Sequence, residues 1–127
     1  MNQVLLAGAG GFLGASLRHA LMLLGGRFVS EAHHPWFTLG INTVGCLGLG
    51  MLLAWLQSRA PETATTWRVF LGAGVLGGFT TYSTFAVATV ELWSSPARST
   101  ALLYVALHLV FGIGAAVLGL VWGRALA

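Results

Sequence analysis

The sequence predicts an all-α membrane protein with four transmembrane helices, the third of them broken. Three observations carry this. The 127-residue chain is 57% hydrophobic and only 7% charged. Its apolar residues fall into four runs, each near the ~20 residues that cross a bilayer core. The third run interrupts itself with paired glycines and a cluster of hydroxyl side chains. A mean hydropathy of +0.84 leaves too little polar surface for a water-soluble domain of this length.

The first run, residues 4–24, has no basic stretch before it, so it reads as a retained span and not as a removable leader. It holds the one formal charge inside any run, Arg18. Gly8, Gly11 and Gly14 suggest a small-residue face where another helix approaches closely. The same stretch, VLLAGAGGFLG, also fits the glycine pattern of a dinucleotide-binding turn, with Glu31 near the distance of a ribose-binding acid. That fold requires strands alternating with amphipathic helices, and the chain offers three more apolar runs instead.

The second run, residues 37–56, carries Asn42 and the sole cysteine, Cys46, flanked by Gly45 and Gly48. One cysteine forms no intramolecular disulfide, and this one suits a tight helix contact. The third run, residues 69–90, contains Gly77 and Gly78 followed by Phe79, Thr80, Thr81, Tyr82, Ser83 and Thr84. Paired glycines weaken a helix and hydroxyls replace lost backbone partners, so a break is expected here near the bilayer centre. Its free carbonyls suit a hard cation, and the amino terminus of the following half-helix suits an anion. The fourth run, residues 101–122, places Tyr104 and His108 four apart on one face, as Tyr82 and Phe85 share a face of the third. The joints, residues 25–35, 57–68 and 91–100, are short and polar, leaving a single domain over 1–127. His33 and His34 read as solvated loop residues.

No run contains a carboxylate, because Glu31, Glu62 and Glu91 lie at or outside the run ends. A small dual-topology proton-coupled multidrug exporter, the alternative function for a chain of this size, needs such an acid inside the membrane. The polar groups present are donors and aromatic edges, which favour an anion. Six arginines, no lysine and three glutamates give +3, spread so evenly over the two sides that the positive-inside rule sets no orientation. Insertion both ways, and hence an antiparallel homodimer, is therefore possible.

GGFLGASLR, FTLGINTVG and GGFTTYSTF, in that order and spacing, resemble the Fluc (CrcB) fluoride channels over the whole chain. The resemblance implies a channel and not an enzyme: a dual-topology antiparallel homodimer in the bacterial cytoplasmic (inner) membrane, with fluoride and the lipid bilayer as partners and no nucleic acid. It implies passive fluoride export, for which a negative-inside potential of 100 mV supplies ~2.3 kcal/mol per charge. It implies a fluoride pathway of Arg18, Asn42, Thr81, Tyr82, Ser83, Thr84, Phe85, Tyr104 and His108. It also implies a structural sodium ion at the dimer interface, held by the main-chain carbonyls of Gly77 and Thr80. Tyr82 stands where the family usually has a phenylalanine. His108 and Gly112 stand where small hydroxyl residues are common, and Ala88 where an acid is frequent. A histidine titrating near its ordinary ~6.5 would make conduction pH-dependent if it lines the pore.

Arg18 either reaches to the headgroups or gathers anions at the pore mouth. The second role predicts that Arg18→Gln lowers fluoride flux from liposomes, and an unchanged flux overturns that role.

Overall fold

Asn2 starts the first helix: it is extended, and its Oδ1 accepts the Val4 N–H at 3.1 Å, satisfying one of the amides that a helix start leaves open. The computed structural model describes residues 2–28, 34–59, 62–96 and 98–127, so Glu31 and His33 lie outside the described residues. Helix α1 is Gln3–Gly26 and α2 is His34–Arg59. The third span is composite: α3, Ala64–Trp67, runs into a π-helical stretch, Arg68–Leu76, then α4, Gly77–Phe79, and after a break α5, Tyr82–Ser94. The last helix, α6, is Arg98–Ala125. Four helical segments are long and apolar enough to cross a membrane, and no strand occurs among the described residues.

The helices outrun the apolar runs at both ends. His34 opens α2 where a loop is expected, and Glu91 lies inside α5 and not in a joint. The reason is that hydropathy marks only the hydrocarbon core, whereas backbone hydrogen bonding continues into the headgroup layer, where polar side chains reach water.

The break also falls later than the glycines suggest. Gly77, Gly78 and Phe79 remain helical, and the chain turns extended at Thr80 (φ −80°, ψ 159°) and Thr81 (φ −150°, ψ 109°). Both are β-branched and tolerate extended backbone well, and neither needs a positive φ. Gly78 serves packing instead. A Cβ on Gly78 would meet Gly11 O at 2.6 Å and Gly11 Cα at 3.0 Å.

Helix α1 packs on the π-helical stretch and α4, while α2 packs along α6 and α5 leans on α6. The small-residue face of α1 is Gly10 and Gly14, joined by Gly11, and not the 8–11–14 row. Cβ atoms on Gly10 or Gly14 would strike the backbone at Phe70 O or Val75 O, whereas nothing lies within 4 Å of one on Gly8. Positions 10 and 14 are one helical turn apart and stay on one side, while a step of three twice over drifts around the axis. Gly50, Gly119 and Gly123 make the same close approach between α2 and α6. Buried side chains are few, chiefly Tyr104, Leu56, Thr38 and Ile41, and the outer faces show leucine, valine and phenylalanine to lipid.

This packing predicts that Gly14→Ala destabilises the protein by about 1–3 kcal/mol or prevents its assembly, since the opposing atoms are backbone. Gly8→Ala is expected to leave stability unchanged or slightly higher. Thermal unfolding of the purified variants in detergent checks both.

Candidate functional site

The site is built on the break. At its start, Leu76 O accepts both the Thr80 N–H and the Thr80 hydroxyl at 3.0 Å, which closes the helix before the chain extends. Gly45 of α2 leaves room for the Thr80 methyl, which a Cβ there would displace. The Thr81 peptide is then held by Asn42 of α2: its N–H donates to Asn42 Oδ1 at 2.8 Å, and its carbonyl accepts from Asn42 Nδ2 at 3.1 Å. Thr81 next caps α5, accepting the Thr84 N–H at 3.3 Å while its hydroxyl lies 2.9 Å from Thr84 Oγ1 and 3.3 Å from Ser83 Oγ. Arg18 Nε donates to Gly78 O at 3.3 Å, so α1 also attends to the broken end.

These bonds divert amides from their helical partners. In a continuous helix the Thr81 N–H would pair with Gly77 O and the Thr84 N–H with Thr80 O. Here they go to Asn42 and to the Thr81 hydroxyl, leaving the Gly77 and Thr80 carbonyls without those partners.

Beside the break four rings gather: Tyr82 and Phe85 lie 5.7 Å apart, Phe85 and Tyr104 5.5 Å, Phe85 and His108 4.3 Å, and Tyr104 and His108 4.4 Å. Trp36 presents an edge contact to Tyr104 at 5.7 Å. Two cavities flank this group. One, of about 330 Å³, is lined by Asn42, Thr81, Tyr82, Phe85 and His108 together with Gly77 and Thr80. The other, of about 760 Å³, is lined by Thr38, Ser83, Thr84, Ala88 and Glu91 and lies toward His34 and Ser95.

The structure thus brings together Asn42, Thr81, Tyr82, Phe85 and His108 on one side and Ser83 and Thr84 on the other. Tyr104 is fully buried within the ring cluster, and Arg18 lines neither cavity. Three residues of the site escape the sequence reading. Thr38 lies one turn before Asn42 on α2, and that spacing was the available signal. Cys46, one turn after Asn42, lines the smaller cavity with His108. Glu91 lies three residues beyond Ala88 and shares its cavity, so a carboxylate borders this space although position 88 has none.

The polar groups beside the rings comprise both donors and acceptors. His108 Nδ1 lies 3.1 Å from Tyr104 O, which can only accept, so Nδ1 carries the hydrogen and the neutral ring presents Nε2 as a bare acceptor. Nε2 and the Tyr104 hydroxyl are buried without a hydrogen-bond partner. Such atoms call for a polar visitor, water or ion. Asn42 keeps one Nδ2 hydrogen beyond its bond to Thr81. Among the described residues no group of three His, Cys, Asp or Glu side chains could hold a metal, and the oxygens at the break are main-chain carbonyls, hydroxyls and the Asn42 amide.

Comparison with known proteins places the chain in a family. The family described as CrcB-like protein, Camphor Resistance (CrcB), matches residues 5–120. A protein of Caulobacter vibrioides named fluoride-specific ion channel FluC is 39% identical over 124 residues, covering 98% of this chain and 97% of its own. Proteins of the same name from Paracoccus denitrificans and Renibacterium salmoninarum are 40% and 41% identical. They cover 92% of this chain each, and 90% and 95% of their own lengths.

The capping geometry predicts that Thr81→Val destabilises the protein by about 1 kcal/mol, the ordinary worth of a helix cap. Thr81→Ser is expected to restore it, because the hydroxyl alone makes the bond. Thermal unfolding of the three proteins side by side checks this.

Proposed function

This chain belongs to the CrcB family, and from that premise we propose that it is a fluoride-selective channel working as an antiparallel, dual-topology homodimer in the bacterial inner membrane. The observation that carries the reading is the double hydrogen bond of Asn42 to the Thr81 peptide. It holds a helix open in mid-membrane beside a cavity of donors and aromatic edges.

Fluoride is small and strongly hydrated, so its path must replace several waters at once. Ser83 and Thr84 hydroxyls offer donors on one side of the rings. The free Nδ2 hydrogen of Asn42 offers one on the other, joined by Thr81 and Tyr82. The positive edge of Phe85, backed by Tyr104, lies between them. Tyr82 is 79% exposed on the single chain, a poor arrangement for a tyrosine facing lipid and a natural one for a residue covered by a second copy. Arg18, tied to Gly78 O, contributes positive potential near the broken helix. Larger anions gain less from so narrow a set of donors, so selectivity rests on geometry and donor number.

The carbonyls of Gly77 and Thr80 fit a sodium ion, because hard cations take oxygen ligands and these two have lost their helical partners. Two carbonyls are too few for such an ion. A twofold-related copy supplies two more, which supports a shared structural sodium at the dimer interface. The ion would fix the two broken helices against each other. A proton-coupled exporter is not favoured, since Glu62 and Glu91, the acids among the described residues, lie at helix ends or an exposed cavity rim.

Purified protein in liposomes should release fluoride rapidly, read with a fluoride-selective electrode after valinomycin opens a potassium path, while chloride release stays at the level of empty liposomes. Neutral His108 turns a lone pair outward and its protonated form a donor, so fluoride flux should rise severalfold on acidification beyond the leak of protein-free liposomes. His108→Ser should abolish that rise. Equal pH profiles for the two proteins remove His108 from the pathway. Absence of fluoride flux in the parent, Tyr82→Phe and His108→Ser alike refutes the channel reading.

A further inference from the structure

The Asn42 amide is spent mostly on backbone. Oδ1 accepts the Thr81 N–H at 2.8 Å and Nδ2 donates to the Thr81 carbonyl at 3.1 Å, so the side chain acts as a rung that the broken helix lacks. The Thr81 N–H is the group that Gly77 O would otherwise hold. Where Asn42 takes it, Gly77 O stays free. Gly77, Thr80 and Asn42 line the same cavity, so a carbonyl freed in this way is reached from the space that the amide itself borders. Of the other carbonyls at the broken end, Gly78 O is occupied by Arg18, while Thr80 O is freed by the Thr81 hydroxyl, which takes the Thr84 N–H.

We propose that Asn42 is the positioning residue that keeps the Gly77 carbonyl available to the cation, so that one side chain serves both the anion pathway and the sodium site. The proposal rests on the sodium reading given above. Its physical basis is that a backbone N–H inside a bilayer takes whatever acceptor is offered. With the amide removed, the acceptor that a continuous helix gives the Thr81 N–H is Gly77 O, and capture there withdraws a ligand from the ion. Because binding free energies are reciprocal, sodium at Gly77 O in turn favours the open peptide that Asn42 holds.

The test uses the full-length protein in detergent, titrated with sodium at constant ionic strength against N-methyl-D-glucamine. Retention of radiolabelled sodium and the sodium dependence of the unfolding temperature are both read, with fluoride flux measured separately in liposomes. Asn42→Ala loses both bonds and should weaken sodium binding by about tenfold or more, the scale of one or two lost hydrogen bonds. Asn42→Asp keeps the acceptor for Thr81 N–H, loses the donor and adds a negative charge. It should therefore keep sodium binding at or above the parent level while fluoride flux disappears. A residue serving the anion pathway alone would leave sodium binding unchanged in Asn42→Ala as well, so the loss in Asn42→Ala is the discriminating readout.

Sodium affinity of Asn42→Ala within about twofold of the parent overturns the proposal, since a bond-loss effect of this kind is tenfold in scale. So does loss of sodium in Asn42→Asp. Should Asn42→Ala fail to yield folded protein, Asn42→Leu, which fills the same space and makes neither bond, takes its place: sodium binding weakened about tenfold supports the proposal and binding within about twofold of the parent overturns it. A parent protein that conducts fluoride yet binds no sodium refutes the sodium reading and the proposal with it, and leaves the channel function standing.

Discussion

A helix that stops in the middle of a bilayer leaves amides and carbonyls with no water to receive them, and each such group costs several kcal/mol if it stays unpaired. The rest of this structure is arranged around that constraint at Thr80 and Thr81. Asn42 takes both polar groups of the Thr81 peptide, the Thr81 hydroxyl caps α5, the Thr80 hydroxyl doubles the last bond of α4, and Arg18 reaches Gly78 O. Three different helices contribute. The break is therefore a tertiary feature, held by α1 and α2 and only permitted by the local sequence.

Packing supplies the rigidity that this arrangement needs. Apolar side chains gain little from association within lipid, so helices adhere where backbones touch. Gly10 and Gly14 bring α1 against the π-helical stretch, Gly11 brings it against Gly78, and Gly45 leaves space for Thr80. Both supports of the break, Arg18 and Asn42, are carried by helices fixed through such contacts. Each glycine at these points is thus one step removed from the break, and a side chain added there would move Arg18, Asn42 or Thr80.

What the sequence made legible follows from the same physics. Four spans are visible because hydropathy and length are local properties, and the presence of a break is visible because threonines, serine and glycines cluster where apolar residues belong. Its position, Thr80 and Thr81, falls inside the glycine–hydroxyl cluster of residues 77–84, among the hydroxyls and not at the glycines, because a membrane helix tolerates glycine. The π-helical stretch Arg68–Leu76 left no mark, since its residues suit an α-helix equally and the wider register is set by what packs against it. The ring cluster could be anticipated from the spacing of Tyr82 with Phe85 and of Tyr104 with His108. Its closing contact, Phe85 on His108, joins two helices and has no local signature.

The way Asn42 meets Thr81 has a consequence for how such chains diverge. The two residues lie 39 positions apart and are joined through the main chain of one and the side chain of the other. A main-chain partner is the same whatever residue supplies it, so a change at position 81 needs no matching change at position 42. Substitutions at the two sites are then free of each other, and a contact that holds the broken helix open would leave no trace of paired variation between relatives.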